Sequence, residues 1–474
     1  MKLKVVKIFG GIALVSSLLS PSAAFAHEFQ KGTNPLIKIN GNFLTTAKIH
    51  MENDKVYVDI DTYAKTIGTS YTYDKVGQTI TINNKTIPAH VMDGTVFAHI
   101  RALGAATGKE VAWISAKNAV EVTDSTAIKA TNTAATNPKE VVATFAELQQ
   151  VISEKELNYD KVGQIYKTKL QSMVQELDAN LSEHIDETLT QALKDGKEGK
   201  LEAGAVAELF EKLLYKELFA SVRYEFKEVG TYFTTDKDKA KAAFLRATEF
   251  YAGLKPTITK ADEKFKTAFV PQIDGAFTDM NSALEKGDSL HFQLSKQAAD
   301  KAIMKAFYLK TDGYAYKVEK LAKEDSPTVK AEQAEAWALY QSLYGYLKGS
   351  AKEDADFINQ QFALTTDPKK ISADAIHAAL VRGFVEVAKD EYAGAFSEKS
   401  WGQDKAKIVT LEGNLFVNMV EGEVKKQLGE AEYARLTDLE QKLLEAVKKD
   451  EKATAEELYK QVVSLLDTAA AKMK

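Results

Sequence analysis

The hydrophobic periodicity of this chain changes once, near residue 125, and this change limits the folds open to it. Before that point, apolar and polar residues largely alternate over short runs, as at 56–60 and 78–83. Alternation with a period of two is typical of strands with one solvated face. After that point, apolar residues recur at helical spacing, most closely at 206–214. The sequence therefore predicts a multidomain protein, with a small α+β domain followed by a large all-α repeat or bundle domain.

The domain boundaries follow from the same patterns. The β-rich pattern covers residues 36–124 and the helical pattern covers 141–474, which in a chain of 474 residues leaves room for sizeable cores. Residues 125–140 are mostly small, polar and aperiodic, which is typical of a flexible linker. An apolar fraction of 45% excludes wholesale disorder.

Residues 1–26 have the anatomy of a secretory signal peptide. Three lysines precede an apolar run at 8–19, and small residues follow before Ala26. Cleavage after Ala26 would make His27 the first residue of the mature protein. The apolar run is too short to span a bilayer as a permanent helix. The sequence thus predicts a secreted or extracellular protein, released or associated with the cell wall, with no transmembrane segment in its mature form.

Composition narrows the possible partners and anchors. The chain has no cysteine, which excludes disulfides, thiolate metal sites and a lipid-modified cysteine anchor. Its formal net charge is −5, which gives no support for a nucleic-acid partner. The expected partner is a component of the cell envelope or an extracellular protein.

The β-rich region contains one pattern twice. Each copy has a strand, a short helix that stops at a glycine, a strand with an aromatic residue before a turn, and a last short strand. The first copy comprises 56–60, 61–67 with Gly68, 71–74 with Tyr73, and 78–82; the second comprises 96–101, 103–107 with Gly108, 111–113 with Trp113, and 119–123.

This order of elements resembles the tandem repeat of the copper amine oxidase N-terminal-like domain, also called the stalk domain, over residues 36–124. The resemblance implies an exported, often cell-surface protein of Gram-positive bacteria in which the domain is an appendage rather than a catalyst. The copper chemistry of that family belongs to a separate domain, for which this sequence has no candidate. Family members often carry Pro and Arg at the end of the first strand, where this chain has Asp59 with Asp61 and His99 with Arg101.

The helical half also contains internal similarity. Residues 212–219 resemble 301–308, with an offset of 89 from Lys212 to Lys301. These matches predict about three diverged repeats, while chance similarity among helices rich in Lys and Ala is the alternative. Two further pairs of similar segments support the repeats, namely 238–241 with 404–407 and 250–255 with 343–348. The three repeats are expected to start near Ile185, Ile273 and Ile371.

Four prolines fall in the helical half. Proline removes a helical hydrogen bond, so we expect each of them between helices rather than inside one. They are Pro256, Pro271, Pro327 and Pro368.

The candidate metal ligands are His27, His184 and Asp186. The free amine and imidazole of a terminal His27 would suit Cu(II), or this residue simply begins a disordered terminus. Spacing by two residues points His184 and Asp186 to different sides of a helix. A metal site there would need further ligands from facing helices, and a solvated helix face is the alternative. His291 and His377 occupy different positions relative to the repeats, which gives no support for a repeated site.

Aromatic residues concentrate in two stretches of the helical half. They are Phe250 with Tyr251, and Trp337 with the tyrosines of 340–346. Such stretches line a pocket for haem, a lipid or a glycan, or they pack in the core, which is the commoner role at helical spacing.

No catalytic template is present in the sequence. It contains no Gly-x-Ser-x-Gly, no His-Glu-x-x-His and no phosphate-binding glycine loop followed by Lys-Ser/Thr. We therefore predict a non-enzymatic, cell-surface-associated secreted protein without a cofactor, which binds a partner or contributes to the cell envelope. The alternatives are an extracytoplasmic metal- or haem-binding protein, and a hydrolase of envelope polymers whose site follows no known motif.

Overall fold

The computed structural model describes residues 36–39, 42–43, 48–52, 55–114, 119–124, 137–181 and 183–473. The chain divides into two compact units, Met1–Ser125 and Thr126–Lys474. This division agrees with the predicted order of a small α+β domain and a large helical domain. The predicted signal peptide at 1–26 lies outside the described residues, as does His27.

In its described residues, the first unit has two short helices and three small sheets. The elements are β1 (Leu36–Ile39), β2 (Asn42–Phe43), β3 (Ile49–Glu52), β4 (Lys55–Asp59), α1 (Ile60–Ile67), β5 (Tyr71–Asp74), β6 (Thr79–Ile82), β7 (Lys85–Pro88), β8 (His90–Met92), β9 (Thr95–His99), α2 (Ile100–Thr107), β10 (Lys109–Ile114) and β11 (Ala119–Asp124). The strand orders of the sheets are β10-β11-β1-β2, β3-β4-β9-β8 and β5-β6-β7.

The predicted tandem pattern appears in the structure as an internal two-fold arrangement. The copies are related by an offset of 40 residues, as from Gly68 to Gly108, and these two glycines end α1 and α2 with positive φ angles of 70° and 68°. The equivalent strands β4 and β9 pair antiparallel, and Val58 lies opposite its own equivalent, Ala98. A local two-fold axis therefore passes between these two residues.

The helices of this unit begin earlier than the sequence predicts. Ile60 and Arg101 were expected in strands, but α1 begins at Ile60 and α2 at Ile100. The reason for the first difference is a side-chain cap, since Asp59 Oδ1 accepts a hydrogen bond from the backbone N–H of Thr62 at 2.8 Å. Buried Arg101 donates to the carbonyl of Val111 at 3.1 Å and so connects α2 to β10.

The described residues of the second unit are all helical or in connecting loops. The helices are α3 (Pro138–Ile152), α4 (Tyr159–Ile165), a π-helical turn (Tyr166–Leu170), α5 (Gln171–Leu181), α6 (Ile185–Lys197), α7 (Ala203–Tyr232), α8 (Lys237–Phe265), α9 (Phe269–Lys286), α10 (Ser289–Lys323), α11 (Val329–Ser350), α12 (Lys352–Phe362), a 3-10 turn (Pro368–Lys370), α13 (Ala373–Ala395), α14 (Asp404–Met419), α15 (Glu421–Leu428), α16 (Glu430–Lys448) and α17 (Lys452–Ala470). Residues 138–140, at the end of the predicted linker 125–140, therefore belong to α3.

A capping arrangement occurs twice in this unit. Asp178, near the end of α5, accepts hydrogen bonds from the first two backbone N–H groups of α6, at 2.8 and 2.9 Å. Asp262, near the end of α8, does the same for α9 at 2.7 and 2.9 Å. The residue equivalent to Ile185 is thus Phe269, so the second repeat begins four residues before the predicted Ile273.

Helices α7 and α10 bury equivalent positions at the offset of 89 that the sequence shows. Both helices follow the same pattern of buried and partly exposed residues along most of their shared length. The matching buried positions are 206, 210, 212, 214, 215, 217, 218, 219, 222, 226 and 229 on α7 and 295, 299, 301, 303, 304, 306, 307, 308, 311, 315 and 318 on α10. A shared burial pattern favours true repetition over chance similarity.

A lysine on each of three long helices marks the repeat. Each one forms an ion pair with a carboxylate on the fourth helix further along the chain. The pairs are Lys212 with Glu335 at 3.1 Å (α7 to α11), Lys301 with Glu412 at 2.5 Å (α10 to α14), and Lys389 with Asp467 at 2.6 Å (α13 to α17). The helical unit is therefore repeat-like in its packing.

The prediction that prolines lie between helices is wrong for Pro256, which lies inside α8. A proline at this position frees the carbonyl of Ala252, and both residues are exposed, so water can satisfy that carbonyl. Pro271 lies in the first turn of α9, where its missing N–H is tolerated. None of the helices in the described ranges is long and apolar enough to cross a bilayer.

Candidate functional site

A cleft of about 650 Å³ opens between α7 and α10, with contributions from α11 and α14. This volume lies within the range of roughly 300–1,000 Å³ that is usual for small-molecule sites. Cationic side chains outnumber acidic ones in its lining. The cations are Arg223, Lys227, Lys296 and Lys301, and the acids are Asp300 and Glu412.

Helical spacing brings these side chains to one place. On α7, Arg223 and Lys227 are four residues apart and therefore share a face. On α10, Lys296 and Asp300 are also four residues apart, and Lys301 follows directly. The two helices come close near Gly230, where an added Cβ would lie 3.5 Å from the side-chain nitrogen of Gln293.

A buried ion network forms the base of the cleft. The carboxylate of Asp300 accepts from Arg223 Nε at 2.6 Å and from Lys301 Nζ at 2.9 Å. Lys301 also contacts Glu412 at 2.5 Å. Burial alone would raise the pKa of Asp300, but the charges of Arg223 and Lys301 hold it well below its usual range. Asp300 is therefore ionised, and it neutralises part of the charge of these two cations.

An aromatic ring lies beside the network. Tyr346 of α11 has its ring centre 4.6 Å from the guanidinium carbon of Arg223 and 5.3 Å from Lys301 Nζ. These are cation–π distances. The ring fixes the two cations while leaving one face of the cleft aromatic.

Two cations of the cleft have no ion-pair partner among the described residues. Neither Lys227 nor Lys296 has a carboxylate oxygen of those residues within 4.0 Å of its Nζ. Burial lowers the pKa of Lys296, against the opposing influence of Asp300 and Glu412. An ammonium group in this position gains from a bound anion.

Neutral donors complete the lining. Gln297 uses its Oε1 atom to accept from Lys301 Nζ at 3.2 Å, which leaves its NH₂ group for a ligand. Gln293 adds a second amide, while the hydroxyl of Thr231 donates to the backbone carbonyl of Lys227 at 3.0 Å. The donors come from two different helices and surround one space, an arrangement suited to holding an anion.

The predicted metal ligands His184 and Asp186 have other neighbours in the structure. Asp186 accepts hydrogen bonds from the Tyr166 hydroxyl at 2.8 Å and from the amides of Gln171 and Gln175, both at 2.9 Å. His184 Nδ1 lies 3.7 Å from a carboxylate oxygen of Glu187. No group of three or more His, Asp or Glu side chains in the described part of the chain is arranged to hold a metal ion. A metal site at His184 and Asp186 stays a prediction.

The other residues that the sequence singled out are spread over the helical unit. Tyr251 and Tyr340 are buried in the core, and Tyr340 donates to the carbonyl of Ala355 at 2.8 Å. Tyr346, the last residue of the second aromatic stretch, lines the cleft. His377 lies between the carboxylates of Asp312 on α10 and Glu423 on α15.

The first unit gathers three histidines around one tyrosine. The ring of Tyr57 lies 4.9 Å from His90, 5.6 Å from His99 and 6.1 Å from His50, measured between ring centres. His50 and His90 are equivalent under the 40-residue offset. These are ring contacts across one sheet face, since Tyr57 pairs with His50 on one side and His99 on the other.

The cleft residues were missed at the level of sequence because they come from four helices. The available signal was a run of polar residues inside an otherwise helical apolar pattern, at 293, 296, 297, 300 and 301. Comparison of the chain with protein-family models, curated proteins and solved structures finds no match.

Proposed function

We propose that this protein is an exported, non-enzymatic binding protein of the cell surface, and that its helical unit holds an anionic ligand in the cleft between α7 and α10. The excess of cations in that cleft carries the proposal. In particular, Lys227 and Lys296 have no carboxylate partner among the described residues. Lys296 is partly buried, so its ammonium group loses hydration, and a bound anion compensates for that loss.

Two features support the cell-surface part of the proposal. Residues 1–26 have the composition of a signal peptide. Residues 36–124 resemble a stalk domain, and their internal two-fold repeat fits that resemblance. The ligand then belongs to a component of the cell envelope or to an extracellular molecule.

Calorimetric titration of the purified protein tests anion binding. Inorganic phosphate, sulfate, malonate and citrate serve as probes at low ionic strength, because salt screens exposed charges. We expect one-to-one binding of at least one probe. The double variant Lys227→Gln, Lys296→Gln should weaken that binding by at least about a hundred-fold, because it removes two charge-assisted hydrogen bonds, each worth roughly 1.5–3 kcal/mol.

Lys460→Gln is the matched control, since Lys460 is an exposed lysine of α17 and does not line the cleft. It removes one lysine charge outside the cleft and should leave affinity unchanged. Failure of all four probes to bind, or an equal loss in the control, would contradict the proposal.

Export is tested separately by mass spectrometry of the protein secreted into a Gram-positive culture medium or retained on the wall. The expected mature protein begins at His27. Retention of the full chain in the cytoplasm would contradict this part of the proposal and leave the anion site untouched.

A further inference from the structure

We infer that the ligand of the cleft is a small phosphate monoester whose phosphate group is bound by Lys227, Lys296 and the NH₂ group of Gln297. This inference rests on the proposed anion-binding function and narrows its ligand class.

The charge of the cleft favours a dianion. Arg223 and Lys301 already have carboxylate partners in Asp300 and Glu412, so Lys227 and Lys296 supply two further positive charges. A phosphate monoester carries a charge of roughly −1.5 to −2 at neutral pH, whereas one carboxylate carries a single charge. A phosphate group therefore matches the two lysines, and a monocarboxylate leaves one of them without compensation.

The geometry of the donors favours a tetrahedral oxyanion over a planar carboxylate. A carboxylate is best recognised by a guanidinium fork, but Nε and Nη2 of Arg223 are both engaged by Asp300, at 2.6 and 3.3 Å. The remaining donors are single groups on two helices, namely two ammonium groups and the amides of Gln293 and Gln297. Separate donors of this kind suit the three outward oxygens of a phosphate, for which lysine acts as a point charge.

The remaining space favours an ester over free phosphate. A cleft of about 650 Å³ has the volume of a site for a whole small molecule, which a lone phosphate does not fill. Phe226 and Tyr346 supply aromatic surface in the lining. An organic group attached to the phosphate would pack against these rings and exclude water from the ion network.

The preceding repeat shows what Gln297 contributes. Its equivalent on α7, at the offset of 89, is Glu208, which contacts Lys212 at 3.2 Å. Glutamate at this position adds a negative charge beside the lysine, whereas Gln297 contacts Lys301 without adding one. The neutral side chain thus keeps the cleft cationic.

Titration of the full protein with three probes tests the ligand class. We expect phenyl phosphate to bind more tightly than inorganic phosphate, and malonate to bind at least about ten-fold more weakly than phenyl phosphate. Malonate binding as tightly as phenyl phosphate would overturn the inference and leave the proposed anion site standing. Inorganic phosphate binding as tightly as phenyl phosphate would overturn the choice of an ester. Absence of binding by any anion would overturn the proposed function as well.

The variant Gln297→Glu tests the assigned phosphate ligand. We expect phosphate affinity to fall by about a hundred-fold, because a carboxylate replaces a donor next to the bound anion. The fold should survive, since glutamate occupies the equivalent position on α7, and circular dichroism checks this. Glu208→Gln is the reciprocal control and should leave phosphate binding unchanged. Unchanged affinity in a folded Gln297→Glu protein would overturn the role of Gln297.

Discussion

Two buried lysines at equivalent positions of the helical unit have opposite surroundings. The Lys212 cluster consists of Lys212 and three acids: Glu208 at 3.2 Å, Glu335 at 3.1 Å, and Glu211 in direct contact. In the Lys301 cluster, Lys301 contacts two acids and the neutral Gln297, and further cations line the neighbouring cleft. The same backbone position thus carries an excess of acid in one repeat and an excess of base in the next.

The residues around the two lysines correspond one to one. At the offset of 89, Glu208 corresponds to Gln297 and Glu211 to Asp300. A helix further along the chain also supplies an acid to each lysine, Glu335 from α11 and Glu412 from α14. Because the framework is shared, the difference in charge comes from a few side chains and not from a different fold.

The difference in charge changes the proton affinity of each cluster. Burial and the nearby Glu335 raise the pKa of Glu208 to about 7. Asp300 has the opposite shift, since its two cationic partners hold its pKa well below the usual range in spite of burial. The Lys212 cluster therefore takes up protons near neutral pH, while the Lys301 cluster stays ionised and faces a space where a ligand fits.

The largest expected difference between the two clusters follows from removing the acid at the equivalent position, which is Asp300 in one cluster and Glu211 in the other. Asp300→Ala leaves Arg223 and Lys301 buried with one carboxylate, Glu412, between them. We expect a loss of about 3–5 kcal/mol in the free energy of unfolding, the usual cost of breaking a buried ion pair from one side. Urea unfolding followed by circular dichroism measures it.

Glu211→Ala is the matched substitution in the other cluster. Lys212 keeps Glu208 and Glu335, so the expected loss is only about 1–2 kcal/mol. Equal losses at the two positions would show that the surplus of acids around Lys212 has no energetic effect.

The second prediction concerns the pH dependence of the Lys212 cluster. The pKa of Glu208 is raised from 4.5 in the unfolded chain to about 7 in the folded protein. Protonated Glu208 therefore contributes stability that is fully present below the unfolded pKa and is lost as pH rises through the folded pKa. Glu208→Gln should remove this part of the loss, about 2 kcal/mol between roughly pH 5 and pH 8. Unfolding free energies at several pH values measure the difference from wild type.

Glu398→Gln is the control for that series, since Glu398 is exposed in the loop between α13 and α14. Its pH profile should follow that of wild type. If Glu208→Gln and wild type lose stability in parallel, Glu208 does not take up the proton in this range.

The contrast between clusters also indicates what the sequence could predict. Local signals identified the glycines that end α1 and α2, the similarity of α7 to α10, and most of the strands, because each depends on neighbouring residues. The strands β2, β3, β7 and β8 were not predicted. The pairing of Val58 with Ala98 depends on strands 40 residues apart, so no local pattern indicates it. The start of the second repeat was predicted near Ile273 instead of at Phe269, because the apolar periodicity of a helix does not show where its first turn begins.

The candidate site was harder to predict for the same physical reason. His184 and Asp186 were selected by residue type, while the donors that bind Asp186 lie 11 to 20 residues earlier in the chain. The match between 212–219 and 301–308 did contain Lys301. It gave no indication that Arg223 and Tyr346 from other helices would meet this lysine, which depends on the packing of the repeats.

The smallest predicted effect extends the comparison to the residue equivalent to Arg223. On α10 this position is Asp312, whose Oδ1 lies 2.8 Å from His377 Nδ1, while the other ring nitrogen lies 3.3 Å from Glu423. The hydrogen bond that His377 donates to Asp312 raises the pKa of His377, against the opposing influence of burial and with further support from Glu423. The stabilising charge is therefore fully present below the unfolded pKa of 6.5 and is lost as pH rises through the folded pKa.

His377→Gln should abolish that loss, which we expect to be about 1 kcal/mol between roughly pH 6 and pH 9. Thermal or urea unfolding at both pH values measures it. His291→Gln, at an exposed histidine of the first turn of α10, is the control and should retain the wild-type pH dependence. A steeper loss in His377→Gln than in wild type would mean that His377 is neutral in the folded protein, and that Asp312 does not hold a charged partner as Asp300 holds Arg223.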